Sequence, residues 1–397
     1  MHSPRIAVTL VALSALAACG DAPSTAAPTA GLEAVGTAPL HLAAKDKKIE
    51  GQYIVVFADG VEDPDSKALA KAQKHAAKLK HSYKFALKGF AAELTPEAVE
   101  ALRQDPDVAY IEEDQEVTID ATQSNATWGI DRIDQRSRPL STTYTYTATA
   151  SGVNAYIIDT GILTAHSEFG GRASAGYDAF GGNGQDCNGH GTHVAGTVGG
   201  TVYGVAKEVR LYGVRVLNCS GSGSNSGVIA GMDWVRANHR KPAVANMSLG
   251  GGYSSATNTA ANNLASAGVF LAVAAGNSNA NACNYSPASA ANATAVAAST
   301  SSDAKASYSN YGSCVDVYAP GSSIRSAWYT STTATNTISG TSMASPHVAG
   351  VGALYKATYG DASYSTIRTW IVNNATASVI TGNPSGTPNR LLYKGGL

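Results

Sequence analysis

The run Tyr53-Ile-Val-Val-Phe57 is almost wholly apolar and rich in β-branched residues, which predicts a strand. Between Asp65 and Lys80 the apolar period changes. Leu69, Ala72, Ala76 and Leu79 recur at intervals of three and four, the spacing of one helix face. Two further strand-like runs follow, Tyr83–Leu87 and Phe90–Leu94. Thr95-Pro96-Glu97 has the grammar of a helix start: a hydroxyl to cap free amides, a proline where an N–H is dispensable, and an acid near the positive end. Val108-Ala-Tyr-Ile111 closes the unit as a strand. The order is βαββαβ, a small α+β domain to which pattern alone attaches no function.

Beyond Ala121 the composition turns to Gly, Ser, Ala and Asn, and β-branched runs such as Val153–Ile158 and Val269–Val273 alternate with helical ones. This predicts a parallel α/β domain. Functional groups in such sheets gather at the carboxyl ends of strands, and Asp159 stands right after Ala155-Tyr-Ile-Ile158. At the other end of the chain, Arg5 precedes an apolar stretch, Ile6 to Ala18, too short to span a bilayer but suited to the core of an export signal. The stretch closes on Leu16-Ala17-Ala18-Cys19, which resembles the bacterial lipoprotein box with Cys19 as the acylated residue. An ordinary signal with a chance cysteine is the other reading. The resulting division is a signal over 1–19, a flexible Ala/Pro/Thr/Gly-rich linker over 20–48, the α+β unit over 49–120 and the α/β unit over 121–397.

With 397 residues, 44% of them hydrophobic, the chain has material for more than one core. A net charge of -1 gives no overall attraction to nucleic acid or an anionic membrane. That balance hides an asymmetry. Residues 20–120 carry 11 basic against 18 acidic side chains, whereas 121–397 carry 16 against 11. One segment docking on the other is one reading, and two unrelated solvated surfaces the other. Setting Cys19 aside, Cys187, Cys219, Cys283 and Cys314 form an even set without metal-thiolate spacing, as expected of disulfides in an exported protein. Three pairings are open at this point.

Asp159-Thr160-Gly161 by itself is more often a structural turn than a site. The segment Asn188-Gly189-His190-Gly191-Thr192-His193-Val194-Ala195-Gly196 surrounds an imidazole with small residues that let a helix begin close to other backbone. Gly340-Thr341-Ser342-Met343-Ala344-Ser345-Pro346-His347 presents a serine at a helix N-terminus, where developing negative charge is favoured, although a lone serine there is usually only a cap. Taken jointly, Asp, His and Ser appear in the order known from subtilisin, with residue types suited to orienter, base and nucleophile.

DTG, HGTHVAGT and GTSMASPHVAG resemble the signatures of subtilisin-like proteases, and within them those of the proteinase K branch and its aqualysin-type enzymes. The likeness runs from Ala121 through Pro388-Asn389-Arg390-Leu391-Leu392-Tyr393. It implies an α/β fold, a subtilisin-like parallel sheet with helices on both faces, preceded by the βαββαβ unit as a propeptide. It implies a secreted serine endopeptidase with Asp159, His190 and Ser342 as triad and Asn277, together with the Ser342 backbone N–H, as oxyanion donors. His193, His347 and Ser345 are then structural. Substrate would add as a strand between Gly221-Ser222-Gly223 and Ser248-Leu249-Gly250, with Ala274, Ala275 and Gly276 walling a pocket for apolar or aromatic side chains.

The same resemblance implies bridges Cys187–Cys219 and Cys283–Cys314. It also implies structural calcium held by the Asp316 carboxylate and the carbonyls of Ala291 and Ala293, and no catalytic cofactor. A second family cation site would use Asp131, Asp134 and Gln135, but Ser141 and Thr143 stand where two further ligands belong. The propeptide would assist folding, inhibit the enzyme and be cut between Asp120 and Ala121, which accounts for the charge asymmetry and frees the product from any lipid on Cys19. The expected partners are polypeptide substrates and the enzyme's own propeptide, with no nucleic acid, no stable membrane insertion and a monomeric product. An inactive binding protein using the same cleft and an esterase using the same nucleophile are the competing classes. The joint presence of the triad elements and Asn277 disfavours the former.

Overall fold

The computed structural model describes residues 37–43, 48–115 and 121–397. The expected signal with Cys19, most of the linker, and Asp120 at the expected cut lie outside the described residues. Two compact units separate at the junction between 115 and 121.

In the first unit the elements are β1 (Lys48–Phe57), α1 (Pro64–Lys74), β2 (Lys78–Tyr83), β3 (Gly89–Glu93), α2 (Pro96–Arg103) and β4 (Val108–Gln115). The sheet runs β4-β1-β3-β2, with Leu40–His41 added in parallel on β4. Val55, Phe57, Phe90, Leu102 and Ile111 fill its core. Thr95 caps α2 as the pattern requires, its hydroxyl accepting from Ala98 N at 3.3 Å. The helix expected to reach Lys80 stops at Lys74. Ala76 takes a left-handed φ of 49°, which ends the helical path and sends Leu79 into β2 instead. Leu69 is half exposed, because the small Ala68 and Ala72, together with Lys71, face the sheet. Lys71 spans that side to Asp105 and Asp107 at 2.6 and 2.9 Å.

The second unit is built on a parallel sheet of β5 (Asn154–Asp159), β6 (Ala173–Asp178), β7 (Arg210–Arg215), β8 (Ala243–Met247), β9 (Phe270–Ala274), β10 (Thr294–Ser299) and β11 (Val317–Pro320). Their order is β11-β10-β9-β8-β5-β7-β6, extended past β11 by the short strands Arg390–Leu391 and Thr376–Ala377. The longer helices are α3 (His190–Gly199), α4 (Asn225–Asn238), α5 (Ser255–Ser266), α6 (Thr341–Tyr359) and α7 (Tyr364–Asn374), with a short one over Trp128–Asp134 ahead of the sheet.

Alternation along each strand assigns the two faces. Ala155 and Ile157 of β5 and Phe270 and Ala272 of β9 pack with Val194 of α3 and Val348 and Val351 of α6. Their neighbours Tyr156, Ile158, Leu271 and Val273 pack with Val228 and Met232 of α4 and Leu264 of α5. Because β5 sits inside the sheet with later strands on both sides, its carboxyl end lies at a point where the strand order reverses, the crevice where open α/β sheets hold their ligands. Among the described residues no helix is long and apolar enough to cross a membrane.

The approach of α6 to β9 depends on a missing side chain. A Cβ on Gly352 would lie 2.3 Å from the Phe270 ring, which is buried and cannot swing aside. Gly352→Ala should therefore destabilise the second unit by about 1–3 kcal/mol. A urea melt that shows an unchanged midpoint would remove Gly352 from the account of how α6 seats on the sheet.

Candidate active site

Asp159 ends β5 with no solvent exposure. Its Oδ1 accepts the Thr160 N–H at 2.8 Å and lies 2.7 Å from Nδ1 of His190, the first residue of α3. Burial works against a charged imidazole at His190, but the charge and hydrogen bond of Asp159, with a smaller contribution from Asp186, outweigh it and raise its pKa. Ser342 stands in the first turn of α6. Its hydroxyl donates to the Ser248 carbonyl at 3.1 Å rather than to His190, though the two residues share one cleft of about 590 Å³.

Thr341 holds the side-chain oxygen of Asn277 through both its N–H and its hydroxyl, each at 2.8 Å, which leaves the amide NH₂ of Asn277 for the cleft it lines. Asn277 Nδ2 and the Ser342 N–H in the first turn of α6 thus flank the serine hydroxyl. A hydroxyl, an imidazole and amide donors that share one cleft are the groups acyl transfer requires.

Gly221, Ser222, Gly223, Ser248, Leu249 and Gly250 line the same cleft. Ala274, Ala275 and Gly276 open instead on an adjoining pocket of about 200 Å³ that also touches Asn277 and Ser342. Tyr285 and Ala288 also belong to its wall, two residues sequence reasoning missed because nothing in their neighbourhood departs from an ordinary loop. The bridges Cys187–Cys219 and Cys283–Cys314 are formed. The first ties the loop before His190 to the cleft edge, where Asn188 also donates to the Cys219 carbonyl at 2.9 Å.

Three buried polar residues without a motif hold the site together. The Asp186 carboxylate accepts from Thr160 Oγ1 and from the N–H groups of Asn188, Gly189 and Thr192, all at 2.9 Å, as well as from the Thr192 hydroxyl at 2.6 Å. It joins the Asp159-Thr160 turn to the first turn of α3. An acid just ahead of a helix capped by glycine was the available signal. Asn246 donates to Ser248 Oγ and accepts from Ser345 Oγ, and Ser248 Oγ in turn donates to the Ser342 carbonyl. Asn310 bonds the Ala275 carbonyl and the amides of Ser278 and Ala280, fixing the loop that carries Asn277.

The residues expected to hold calcium lie away from this cleft, at the amino ends of β10 and β11. Asp316 Oδ1 takes Nε of Arg368 at 2.9 Å and also its Nη2, while Oδ2 accepts the Ala295 N–H at 2.9 Å. This donor set does not fit a calcium ion shared with the carbonyls of Ala291 and Ala293. A cation already sits on the carboxylate, and a second one would meet its repulsion. Among the described residues no cluster of three or more His, Cys, Asp or Glu side chains could hold a metal.

Residues 150–392 match the family model described as the subtilase family, and residues 52–120 match that of peptidase inhibitor I9. The chain is 52% identical to an extracellular serine proteinase of Thermus sp. (strain Rt41A), across 97% of both chains. It is 50% identical to a subtilisin-like serine protease of Sarocladium strictum, over 90% of this chain and 93% of that one. A solved structure of a cold adapted subtilisin-like serine proteinase matches with a TM-score of 0.67 and 53% identity, covering 68% of this chain and 99% of the other.

His193 and His347 bear on stability. His193 bonds the Ile324 carbonyl and His347 that of Met343, and burial pushes their pKa values down to about 3 and about 4. Both are neutral in the fold, while the unfolded chain binds protons on each below pH about 6.5. Stability should therefore be full above pH about 6.5 and fall on acidification toward the folded values, by about 1 kcal/mol per pH unit for each histidine. Denaturant titrations from pH 7 to 5 on a Ser342→Ala background should show that slope, and His347→Gln should reduce it. An equal slope in both proteins would contradict the assignment.

Proposed function

Because the chain belongs to the subtilase family and is a serine endopeptidase with an I9-type propeptide, we propose that it cleaves peptide bonds through Ser342, His190 and Asp159. The observation that carries this is the 2.7 Å Asp159–His190 contact, placed at the same cleft as Ser342 and the Asn277 amide.

The Ser342 hydroxyl first turns from the Ser248 carbonyl to Nε2 of His190, a bond of the kind that tightens when substrate is present. As Oγ bonds to the substrate carbonyl carbon, His190 takes its proton, and Asp159 stabilises the imidazolium and holds its orientation. The negative charge on the former carbonyl oxygen falls to Asn277 Nδ2 and the Ser342 N–H. His190 then protonates the leaving amine as the C–N bond breaks. A water that gives a proton to His190 then bonds to the acyl carbon, and His190 returns that proton to Ser342 Oγ as the ester C–O bond breaks. Substrate lies extended between Gly221-Ser222-Gly223 and Ser248-Leu249-Gly250, with an apolar or aromatic side chain in the pocket bounded by Ala274, Ala275 and Gly276.

Residues 49–120 act as the inhibitory and folding-assisting propeptide until the chain cuts itself between Asp120 and Ala121, leaving 121–397 as a monomeric enzyme. The acidic balance of the first segment and the basic balance of the second support their docking. Export through the signal at 1–19 places the product outside the cell, as the name of the Thermus relative supports.

Intact mass and N-terminal sequencing of the secreted protein should find a chain starting near Ala121, while Ser342→Ala stays uncut. If both proteins convert alike, another protease does the processing. Asn277→Ala should lose roughly 10²–10³ in kcat with little change in KM, the size of the loss in subtilisin itself. An undiminished kcat would reduce Asn277 to a turn residue.

A further inference from the structure

Asp316 precedes β11 and is only 5% exposed, so its carboxylate needs a cation or strong donors near it. The chain supplies them itself. Arg368 projects from α7, a helix fixed by a Ser363 cap on Thr366 N and by the fully buried Ile367 and Ile371. Its guanidinium puts two N–H groups on Oδ1, while the start of β10 closes Oδ2 through Ala295 N. A calcium ion would ask for six to eight oxygens, among them an oxygen of that carboxylate not already taken up by N–H donors. To bind, it would have to expel the guanidinium from an ion pair that needs no dissolved partner.

The second acidic group shows the same solution independently. Asp134 Oδ1 lies 3.2 Å from Nζ of Lys394, a residue only 3% exposed, and its Oδ2 accepts Thr145 N at 2.7 Å. Asp131 is taken up by Ser141 N, Ser141 Oγ and Thr142 N at 3.2, 3.0 and 2.7 Å. Each of these three contacts directs a proton donor at the carboxylate, where a metal would need bare oxygen.

We propose that Arg368 takes the place of calcium at Asp316: the cation that joins the starts of β10 and β11 to α7 is a covalent part of this chain. Stabilisation by a dissolved ion scales with its free concentration, whereas that of a tethered guanidinium does not. Removing the charge while leaving a polar side chain should therefore create a dependence on calcium that the natural chain lacks at this point.

The test uses the full chain as Ser342→Ala, to prevent self-digestion, melted in excess calcium chloride and in EGTA. Any calcium-dependent rise in Tm should be unaltered by Asp316→Asn, since it would arise elsewhere. Arg368→Gln should melt about 2–4 °C lower in EGTA and recover in calcium. A calcium-dependent rise in the parent that Asp316→Asn abolishes would overturn the proposal. Should either variant fail to fold, a crystal of the parent grown in excess calcium decides. Arg368 remaining on Asp316 supports the proposal, and an anomalous peak between Asp316 and the carbonyls of Ala291 and Ala293 refutes it.

Discussion

Burying the Asp159 carboxylate at the end of the central strand is costly, and much of the surrounding structure answers that cost. Its Oδ1 has the Thr160 amide and the His190 ring, whereas its Oδ2 has no hydrogen-bond partner among the described residues. The carboxylate therefore leans on one imidazole, and the position of that imidazole has to be held by other means. Asp186 does this, collecting donors from the Thr160 turn and from the first turn of α3, so that Asp159 and His190 are held as one piece. The raised pKa of His190 is the electrostatic record of the same arrangement.

The small residues of the signature segments follow from this close approach. A Cβ on Gly191 would lie 2.1 Å from the Gly161 carbonyl, and Gly161 itself has a φ of 102° with the Gly184 carbonyl 2.5 Å from where its Cβ would be. The start of α3 can touch the turn after β5 because Gly191 carries no side chain, and Gly161 lets that turn pass close to the loop at Gly184. On the serine side, Thr341 reads the Asn277 oxygen and thereby turns the amide donors outward, while Asn310 keeps the loop beneath rigid. Preorganised donors of this kind do not have to reorient during reaction.

Several cross-links in the second unit are built into the chain itself. Two disulfides close loops of 32 and 31 residues, a length at which cross-linking is worth about 3–4 kcal/mol on the chain-entropy model. One of them lies beside the cleft, so the loop before His190 and the edge at Gly221 are coupled covalently. Arg368 and Lys394 set basic groups against carboxylates that would otherwise face the cost of burial alone.

The sequence by itself determined the βαββαβ and parallel α/β organisation, because apolar periodicity and β-branched runs express local geometry directly. Asp159, His190 and Ser342 could be singled out together, because they sit in segments whose glycines and small neighbours are distinctive as a set, whereas Asn277 and the cleft edges are legible only through the family resemblance, since read alone they are a turn and ordinary loops. Only the tertiary structure decided the rest. The end of α1 depended on a single left-handed alanine, and the buried face of α1 on which residues the sheet could accept. The roles of Asp186, Asn246 and Asn310 come from partners as far as 99 positions away in the chain. The cation on Asp316 comes from Arg368, 52 positions away. Hydrogen bonds and ion pairs between remote residues leave no periodicity and no local spacing, so they become visible only when folding has brought the two ends together.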